Sequence, residues 1–404
     1  MRVLVNVWSG LGPPAGVGHY ARQLVAALQQ TAAAGDAAIV FPQGGLARWY
    51  QGRTQAPDPR RGFAGRQTGA LQVSFQWLSC GASWMNGASI AAREALRWYL
   101  GRRLRSQLRT VRADLYHEPN FVPLCFDVPT AITVHDLSPI LFPQWHPSYR
   151  VRWLEKYLER SLIHAQHILT VSEFTRQELI KHCGIAPERI QVTYPGVRSR
   201  LRPCSRSQVR FALAKLGLPT DYLLFVGTLE PRKNLELVLR AYLRLPRSYR
   251  QAVPFVLVGK YGWQAERLAE LIATTGPSEG IYSLGYVPED WLVALYNGAR
   301  ALVYPSLYEG FGLPPMEMLA CGGQVIVADL PVFRETLASY AIRVPADDAD
   351  AWYGLLRRLV VHGECTAAPN WAAVVWAGRF TWENCARQTW QAFTSPPVAT
   401  HLAA

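Results

Sequence analysis

The stretch that most constrains the fold of this chain runs from residue 301 to residue 328. Ala301–Tyr304 is a short apolar run that predicts a buried strand, Pro314 and Pro315 suit the start of a helix, and Gln324–Ala328 predicts the next strand. A strand, a loop, a helix and a second strand in this order indicate a parallel α/β sheet. Such sheets bind ligands in the loops that follow the carboxyl ends of their strands, so we expect a ligand site in the turn between this strand and this helix.

Two glutamates, Glu309 and Glu317, flank this loop with seven residues between them. Glu317 is predicted to lie in the first helical turn, where an acidic side chain often does no more than offset the helix dipole. Glu309 precedes Gly310 and Gly312, which allow the backbone to approach a ligand closely. A carboxylate in that position could bind hydroxyl groups or stabilise a developing positive charge.

The string EGFGLPPMEMLACG resembles the signature of family 4 retaining glycosyltransferases, whose two glutamates have the same spacing. The resemblance implies an α/β protein with the GT-B architecture, in which two Rossmann-like domains face each other across a cleft. It implies an acceptor-binding domain at 1–197, a nucleotide-sugar-binding domain at 204–376 and a helix at 380–393 that crosses back to the first domain. By the same resemblance Glu309 contacts the sugar and Glu317 the ribose, and the donor is also bound by Gly310, Phe311, Gly312 and Leu313.

A second motif, FVGTLEPRKNL, places Arg232 and Lys233 after a predicted strand at 222–226 and before a predicted helix. Adjacent cations there could clamp a diphosphate, because arginine offers a bidentate fork and lysine a point charge. A solvated turn is the alternative. The motif is similar to the donor-phosphate motif of the same family, which implies that Arg232 and Lys233 neutralise the leaving diphosphate and that Gly227 and Thr228 contact the donor.

Two further segments match the family's donor site. The resemblance implies that Gly285, Tyr286 and Val287 lie near the nucleotide base, together with Leu313. At the amino terminus, a predicted strand at 3–8 leads into a glycine-rich turn and a helix at 20–30, an arrangement that can hold a phosphate. Within it, Gly16, Val17 and Gly18 match the family's loop near the donor diphosphate, although His19 stands where arginine is common.

The acceptor side is predicted from a third motif, VHDLSPILFP, which follows the strand Thr130–Val134. A histidine at the carboxyl end of a strand can face a bound substrate, but a lone one is more often a hydrogen-bonded structural residue. The motif resembles that of family 4 enzymes of bacterial polysaccharide assembly, many of them mannosyltransferases. The resemblance implies that His135 is catalytic and near the transferred sugar, and it places Asp136, His117 and Asn120 on the acceptor side.

No metal or cofactor is expected. The seven cysteines are dispersed without zinc-like spacing, as in a reducing compartment, and the acidic run 347–350 is better explained as the cap of a helix at 351–361 than as a metal site. The expected small molecule is a nucleotide-diphospho-sugar, which is a substrate.

The net charge of +13 is concentrated in the first half of the chain. Residues 1–200 hold 23 Lys and Arg against 12 Asp and Glu, whereas the rest hold 19 against 17. A negatively charged partner should therefore dock on the first domain. We find no nucleic-acid-binding signature, which disfavours DNA and RNA. Residues 42–75, rich in arginine and glycine, are either a solvated insertion or a loop that folds over the acceptor with Trp49, Tyr50 and Phe63.

The segment 93–112 carries seven arginines and leucines at every fourth position. It predicts a basic amphipathic helix, which either lies on an anionic membrane or packs on its leucine stripe as an ordinary surface helix. We favour the membrane because Trp98 and Tyr99 are of the type that prefers the interface. With no signal peptide or spanning helix recognised, the expected location is the cytoplasm, peripheral on the inner face of the membrane.

The sequence thus predicts a retaining, metal-independent glycosyltransferase that moves a sugar, preferably mannose from GDP-mannose, to a lipid-linked oligosaccharide or other glycan acceptor in bacterial polysaccharide assembly. A GT-B sugar-nucleotide 2-epimerase and a non-catalytic nucleotide-sugar-binding protein are the alternatives. Two departures from the family pattern, Gln324 after a glycine and Arg334 before Glu335, weaken the choice of donor sugar more than the choice of reaction.

Overall fold

The computed structural model describes residues 1–11, 16–43, 90–364 and 368–396. These residues form two units, each with its own parallel sheet. The first unit is drawn from Met1–Leu141, Ser148–Gly196 and the chain from Trp382 onward, and the second from Phe142–Pro147 and Val197–Thr381. Most of the predicted arginine-rich segment at 42–75, including Trp49, Tyr50 and Phe63, lies outside the described residues.

The Phe142–Pro147 segment departs from the predicted domain boundaries, because it belongs to the second unit although the chain on both sides of it belongs to the first. The indole N–H of Trp263 donates to the Trp145 carbonyl at 2.5 Å, and the Phe142 ring centroid lies 5.4 Å from that of Tyr308. The chain therefore passes between the two units four times.

Six parallel strands form the first sheet, in the spatial order β2-β1-β3-β4-β5-β6. Every residue of the three strands β3, β4 and β5 is buried, as expected for strands that helices cover on both faces. The strands are β1 (Arg2–Asn6), β2 (Ala37–Phe41), β3 (Leu115–Glu118), β4 (Thr130–Val134), β5 (His167–Thr170) and β6 (Ile190–Val192).

Helices cover this sheet. In chain order they are α1 (Gly16–Thr31), α2 (Ile90–Val111), α3 (Ser138–Leu141), α4 (Ser148–His164) and α5 (Glu173–Cys183), and the last helix of the chain, Trp382–Thr394, also belongs to this unit. The last helix packs against α1, and the Trp390 indole N–H donates to the Leu28 carbonyl at 3.2 Å. Ser172 is the N-cap of α5, and its side chain accepts from the Thr175 amide.

The leucine stripe of α2 packs inside the first unit. Leu104 and Leu108 are buried against Leu4, Phe41 and Tyr116. The stripe is therefore not available to a membrane, and this part of the membrane interpretation is corrected. A leucine every fourth residue has the same appearance whether the apolar face meets a sheet or a lipid, so periodicity alone could not separate the two.

The second sheet also has six parallel strands, in the order β12-β11-β10-β7-β8-β9. Its strands are β7 (Leu223–Val226), β8 (Phe255–Val258), β9 (Ile281–Gly285), β10 (Ala301–Tyr304), β11 (Gln324–Ala328) and β12 (Ala341–Val344). The strands predicted at 301–304 and 324–328 are confirmed residue for residue.

Nine α-helices connect and flank these strands within the described residues of the second unit: α6 (Arg206–Lys215), α7 (Leu235–Leu243), α8 (Arg247–Ala252), α9 (Glu266–Thr275), α10 (Glu289–Gly298), α11 (Leu313–Ala320), α12 (Pro331–Thr336), α13 (Ala349–Val360) and α14 (Trp371–Ala377). The acidic run at 347–350 caps α13, because Asp348 accepts from the amides of Asp350 and Ala351. The chain's last helix is α15 (Trp382–Thr394). Within the described ranges, no helix is both long enough and apolar enough to cross a bilayer.

Candidate active site

The predicted donor-binding residues of the second unit follow the carboxyl ends of three strands, β10, β7 and β9, and only β8 lies between β7 and β9 in the sheet. Glu309 follows β10, the Arg232–Lys233 pair follows β7, and Gly285 ends β9. Parallel strands bring their carboxyl ends to one edge, where the amino ends of helices also point. The structure therefore gathers residues that are far apart in sequence at one edge of one sheet.

The loop between β10 and α11 is held by close packing at Gly312. Gly312 has φ of 92°, and a Cβ on it would lie 2.5 Å from the Phe333 ring. Glycine is required here both by the left-handed backbone and by the space. Phe311 is buried, and its carbonyl accepts from the Thr336 hydroxyl at 3.2 Å. The loop that carries Glu309 is thus fixed from behind.

Four charged side chains form one cluster at this edge: Glu230, Arg232, Lys233 and Glu309. Lys233 forms an ion pair with Glu309, and Arg232 Nη1 lies 3.0 Å from Glu309 Oε2. Arg232 also donates to Glu230 Oε1 at 2.8 and 3.2 Å. Glu230, Lys233 and Glu309 are all buried. The two positive and two negative groups balance each other, as buried charges must.

Backbone contacts lock the two segments of this cluster together. The Leu307 amide donates to the Arg232 carbonyl at 2.8 Å, and Arg232 Nη1 donates to the Tyr308 carbonyl at 2.8 Å. Lys233 Nζ donates to the Tyr304 hydroxyl at 2.6 Å. The cations are thereby fixed beside the Glu309 loop and do not depend on solvent for their orientation.

Glu309 is ionised in this setting. Burial by itself would raise the pKa of its carboxyl, but the charges of Arg232 and Lys233 outweigh burial and lower the pKa to about 2. The carboxylate can therefore act only as a hydrogen-bond acceptor and a negative charge at neutral pH. It is suited to sugar hydroxyls or to a cationic carbon and cannot serve as a general acid.

Glu317 is the fifth residue of α11, so the expectation that it lies in the first helical turn is wrong. Gly312 is the N-cap and α11 begins at Leu313, one residue before Pro314. Glu317 is buried, with Oε1 2.7 Å from Arg198 Nη1 and Oε2 accepting from the Tyr296 hydroxyl at 2.7 Å. Burial raises the pKa of Glu317, and Arg198 opposes that shift. Its assignment to the ribose stays a prediction.

The turns after β7 and β8 touch through their backbones. Gly227 has φ of 155°, and a Cβ on Gly259 would lie 1.8 Å from the Gly227 carbonyl oxygen, so only glycine fits at residue 259. Thr228 follows in the same turn. The Gly259 amide donates to the Gly285 carbonyl at 2.8 Å, which ties the turn after β8 to the end of β9.

At the end of β9, Gly285 has φ of 65°, Tyr286 is exposed and Val287 is buried. Lys260 Nζ lies 5.4 Å from the centroid of the Tyr286 ring. An exposed aromatic ring next to a cation at a sheet edge offers a stacking surface for a planar base. The predicted position of the base near Gly285, Tyr286 and Val287 agrees with this geometry but stays a prediction.

In the first unit, Gly16, Val17 and Gly18 form the first turn of α1 and are not part of a loop. The helix starts four residues earlier than predicted. First-turn amides have no acceptor within the helix, so these residues can still face a phosphate. Gly12 and Pro13, which precede them in the predicted turn, lie outside the described residues.

His135 is held in one tautomer. Its Nε2 lies 3.0 Å from the Pro119 carbonyl, which can only accept, so Nε2 carries the proton and Nδ1 keeps its lone pair as an acceptor. The Tyr20 ring packs edge-on against it at 4.7 Å. Burial lowers the pKa of His135, and the Pro119 hydrogen bond opposes this. A neutral imidazole with an accepting Nδ1 fits a residue that contacts a hydroxyl.

Asp136 and Asn120 both take part in local turns. Asp136 Oδ1 accepts from the Ser138 amide at 2.9 Å and the Ser138 hydroxyl at 2.8 Å, which caps α3. Asn120 Oδ1 accepts from the Phe121 amide at 2.9 Å. Both residues remain partly exposed. These contacts do not test their assignment to the acceptor side, which stays a prediction.

His117 is the one predicted acceptor-side residue that lies in the core of the first unit. Its ring is fully buried, with Nε2 2.9 Å from Thr133 Oγ1 and the ring centroid 5.2 Å from Phe393. Burial lowers its pKa to about 3. Successive residues of a strand point to opposite faces, and His117 points under α15. It is a structural residue, and we do not include it in the acceptor site.

Sequence reasoning missed several residues of these sites. Glu230 could have been found, since it stands two residues before Arg232 in the same motif. Arg198, Tyr296 and Tyr304 gave no local signal, because their partners are distant in sequence. Within the described residues, no three His, Cys, Asp or Glu side chains come together in a way that could hold a metal ion.

Two family models match the chain. The model described as Glycosyltransferase Family 4 matches residues 14–200, and the model described as Glycosyl transferases group 1 matches residues 211–365. O-antigen chain mannosyltransferase B of Escherichia coli is 37% identical over 303 residues, which cover 74% of this chain and 79% of that protein.

Two solved structures share the fold. Sucrose-phosphate synthase of Thermosynechococcus elongatus superposes with a TM-score of 0.70 at 19% identity, over 97% of this chain and 98% of that one. Anabaena HepE, solved with UDP and glucose, superposes with a TM-score of 0.66 at 16% identity, over 98% of this chain and 100% of that one. With two α/β units that each hold a parallel sheet, these likenesses confirm the predicted GT-B fold.

Proposed function

Because the chain belongs to glycosyltransferase family 4, we propose that it transfers mannose from GDP-mannose to a glycan acceptor during assembly of a bacterial surface polysaccharide. The balanced cluster of Glu230, Arg232, Lys233 and Glu309 carries this proposal, because it puts fixed cations and a fixed carboxylate where a nucleotide-sugar would react. The likeness to an O-antigen mannosyltransferase supports mannose as the sugar. The HDLS motif at 135–138 supports the same choice.

In the proposed reaction, the bond between the sugar's anomeric carbon and the diphosphate breaks and a bond to an acceptor hydroxyl forms. Arg232 and Lys233 neutralise the departing diphosphate, and Glu309 binds sugar hydroxyls near the cationic carbon. Charges fixed in advance stabilise this separation more than water does, since they need no reorganisation. No step calls for a metal ion.

We assign the acceptor groups to the first unit, where His135 and Asp136 follow β4. The proposed transfer retains the configuration of the sugar, and the acceptor proton passes to an oxygen of the leaving phosphate. That route needs no separate general base, and none of the assigned donor-site residues is suited to be one. Glu317, buried between Arg198 and Tyr296, is proposed to bind the ribose.

Melting temperature and nucleotide release with a panel of GDP-, UDP- and dTDP-sugars test the proposal. A donor that binds only the folded protein at a hundred times its dissociation constant stabilises it by about 2.7 kcal/mol. We expect stabilisation by GDP-mannose, slow GDP release that acceptor accelerates, the same rate with and without EDTA, and a product that keeps the donor's anomeric configuration by NMR.

The same assay separates the alternatives. A 2-epimerase would convert the sugar nucleotide without any acceptor, and a non-catalytic binding protein would be stabilised but would release no nucleotide diphosphate. Stabilisation by UDP-sugars alone would overturn the choice of donor, and no response to any sugar nucleotide would overturn the function while leaving the fold unchanged. Loss of activity in EDTA would overturn the metal-free reaction.

We further propose that the outward face of α2 contacts an anionic membrane, which would bring a lipid-linked acceptor to the enzyme. Trp98 and Tyr99 are 62% and 45% exposed on this helix, and the Arg102 guanidinium lies 4.9 Å from the Trp98 ring centroid. Aromatic and basic side chains together favour the interface of an anionic bilayer. The buried leucines have no part in this contact.

The double variant Trp98→Ala/Arg102→Glu should bind phosphatidylglycerol-containing vesicles about tenfold more weakly, since each cation near such a surface contributes about 1 kcal/mol. Cosedimentation with vesicles measures this. Phe211→Ala/Lys215→Glu is a matched control on the second unit, where Lys215 Nζ lies 4.2 Å from the exposed Phe211 ring. Equal loss in both variants, or in neither, would contradict the assignment.

A further inference from the structure

A carboxyl group that has no assigned role lies at the carboxyl edge of the first sheet. Glu118 ends β3 and stands beside Asn6, which ends the neighbouring strand β1, since Val5 pairs with His117 in the parallel register. Glu118 is only 6% exposed. Its side chain points to the face opposite His117, because strand residues alternate. This is the edge where open α/β sheets bind ligands.

Among the described residues, only one of the two Glu118 oxygens accepts a hydrogen bond. Oε2 accepts from the Tyr116 hydroxyl at 2.5 Å and from Asn6 Nδ2 at 2.7 Å. Oε1 has no hydrogen-bond partner among the residues that the structure describes. Two donors on one oxygen fix the orientation of the carboxyl group, and the second oxygen is left to accept from something else.

No described lysine or arginine forms an ion pair with Glu118. The nearby guanidinium of Arg97 donates to the Pro123 carbonyl at 2.9 Å and packs over the Tyr157 ring at 4.3 Å. A buried carboxylate without a paired cation is costly, and its cost is reduced when a hydrogen-bond donor binds it. With no ion pair to Glu118 among the described residues, a second negative charge would be repelled here.

We propose that Glu118 Oε1 accepts a hydrogen bond from a hydroxyl of the acceptor sugar, and that the acceptor unit held there is an uncharged sugar. The inference rests on the proposed function. A sugar hydroxyl supplies the missing donor without adding charge, whereas a phosphate or a uronic acid would meet an unbalanced carboxylate. The backbone between Glu118 and His135 supports this placement, because the Pro119 carbonyl that follows Glu118 is the partner of His135 Nε2.

The titration of Glu118 gives a readout that a purely structural role would not. Burial raises its pKa to about 7, and the bonds from Tyr116 and Asn6 and the charge of Arg97 oppose the shift. Within the part of the chain that the structure describes, these three residues, from β3, β1 and α2, are the polar groups that face it. The ionised form accepts from a hydroxyl, so the kcat/KM for acceptor should rise with pH through about 7.

Glu118→Gln tests the proposal, because glutamine keeps an oxygen for Tyr116 and loses the charge. The full chain is assayed at saturating GDP-mannose with octyl α-mannoside and octyl N-acetyl-β-glucosaminide as acceptor probes. We expect the KM of the accepted probe to rise about tenfold or more, as for a lost hydrogen bond to a charged group. The KM for GDP-mannose and the acceptor-free release of GDP should stay the same, and the pH dependence near 7 should disappear.

Asp114→Asn is the matched control, because Asp114 is an exposed carboxylate just before the same strand and accepts from the Arg2 amide at 2.7 Å. Asn6→Ala is a second variant that leaves Glu118 in place but removes one of the groups that orient it, with an expected rise of about threefold in acceptor KM. Octyl glucuronide should not serve as an acceptor.

An unchanged acceptor KM in both Glu118→Gln and Asn6→Ala, or a pH profile that Glu118→Gln does not alter, would overturn the inference. Use of octyl glucuronide as readily as a neutral probe would overturn its neutral-sugar part. Failure of the proposed function is a separate result, since it would appear in the unsubstituted chain as no release of nucleotide from any donor.

Discussion

Lys233→Ala is expected to lower the rate of sugar transfer by about a hundredfold or more while the protein stays folded. Lys233 is buried, forms an ion pair with Glu309 and donates to Tyr304 at 2.6 Å. Its charge is fixed where the proposed diphosphate departs, and removal of one preorganised donor of this kind costs about 10²–10³ in kcat. The measurement is kcat and KM for GDP-mannose at saturating acceptor.

Lys260→Ala is the matched control for this prediction. Lys260 follows the neighbouring strand β8 at the same edge, but it is exposed and contacts the Tyr286 ring. We expect it to change kcat by no more than a few-fold. Loss of one partner of a buried ion pair can cost 3–5 kcal/mol of stability, so thermal unfolding of both variants is recorded first. If Lys233→Ala is folded and turns over at nearly the normal rate, the clamp assignment is wrong.

Glu309→Gln is expected to abolish most transfer and yet to bind GDP more tightly. In the structure, Glu309 occupies both cations of the clamp, so an incoming diphosphate has to compete with it for Arg232 and Lys233. Neutralising this carboxylate removes the competitor and leaves an excess positive charge. We expect about a tenfold lower Kd for GDP, equivalent to about 1.4 kcal/mol, together with a fall in kcat of at least a hundredfold.

Calorimetric titration with GDP measures the affinity, and turnover with GDP-mannose measures the rate. Glu236→Gln is the control, because Glu236 is a carboxylate near the same motif that pairs with Arg240 on the surface. It should alter neither quantity. Weaker GDP binding by Glu309→Gln would show that Glu309 orients the cations for the diphosphate and does not compete with it.

The strands of the second sheet were the most predictable part of the fold. A strand covered by helices on both faces is apolar at nearly every position, so 301–304 and 324–328 stand out between turn residues without knowledge of their neighbours. N-caps are equally local, which is why the acidic run at 347–350 was identified as a helix cap. The strand Ala37–Phe41 and the helix Ser148–His164 gave weaker patterns and were not predicted.

What a side chain contacts was much less predictable than the element that carries it. His117 and Glu118 are adjacent and both polar, and the sequence does not say which of them points under α15 and which reaches the Asn6 side of the sheet. The leucines of α2 are a similar case. In both cases the side-chain contacts depend on the order of the strands and on which helix covers which face of the sheet. The strand order and the helix positions follow from contacts across the whole unit.

The residues of the donor-site motifs were easier to identify, because these motifs are short and contiguous. Arg232, Lys233 and Glu309 could be singled out by residue type and by resemblance to a family. Their mutual pairing could not, since Glu309 meets the two cations only after β7 and β10 become neighbours in the sheet. The pairing of Glu317 with Arg198 is likewise invisible in the sequence.

The Phe142–Pro147 segment limits how chimaeras between relatives can be built to exchange the proposed donor specificity. A chimaera that replaces only residues 197–381 would leave six residues of the original chain embedded in the foreign half. Those residues provide the carbonyl that the Trp263 indole uses and the ring that packs on Tyr308, next to Glu309. A chimaera that transplants 142–147 together with 197–381 keeps these partners matched. These two segments should therefore be exchanged together.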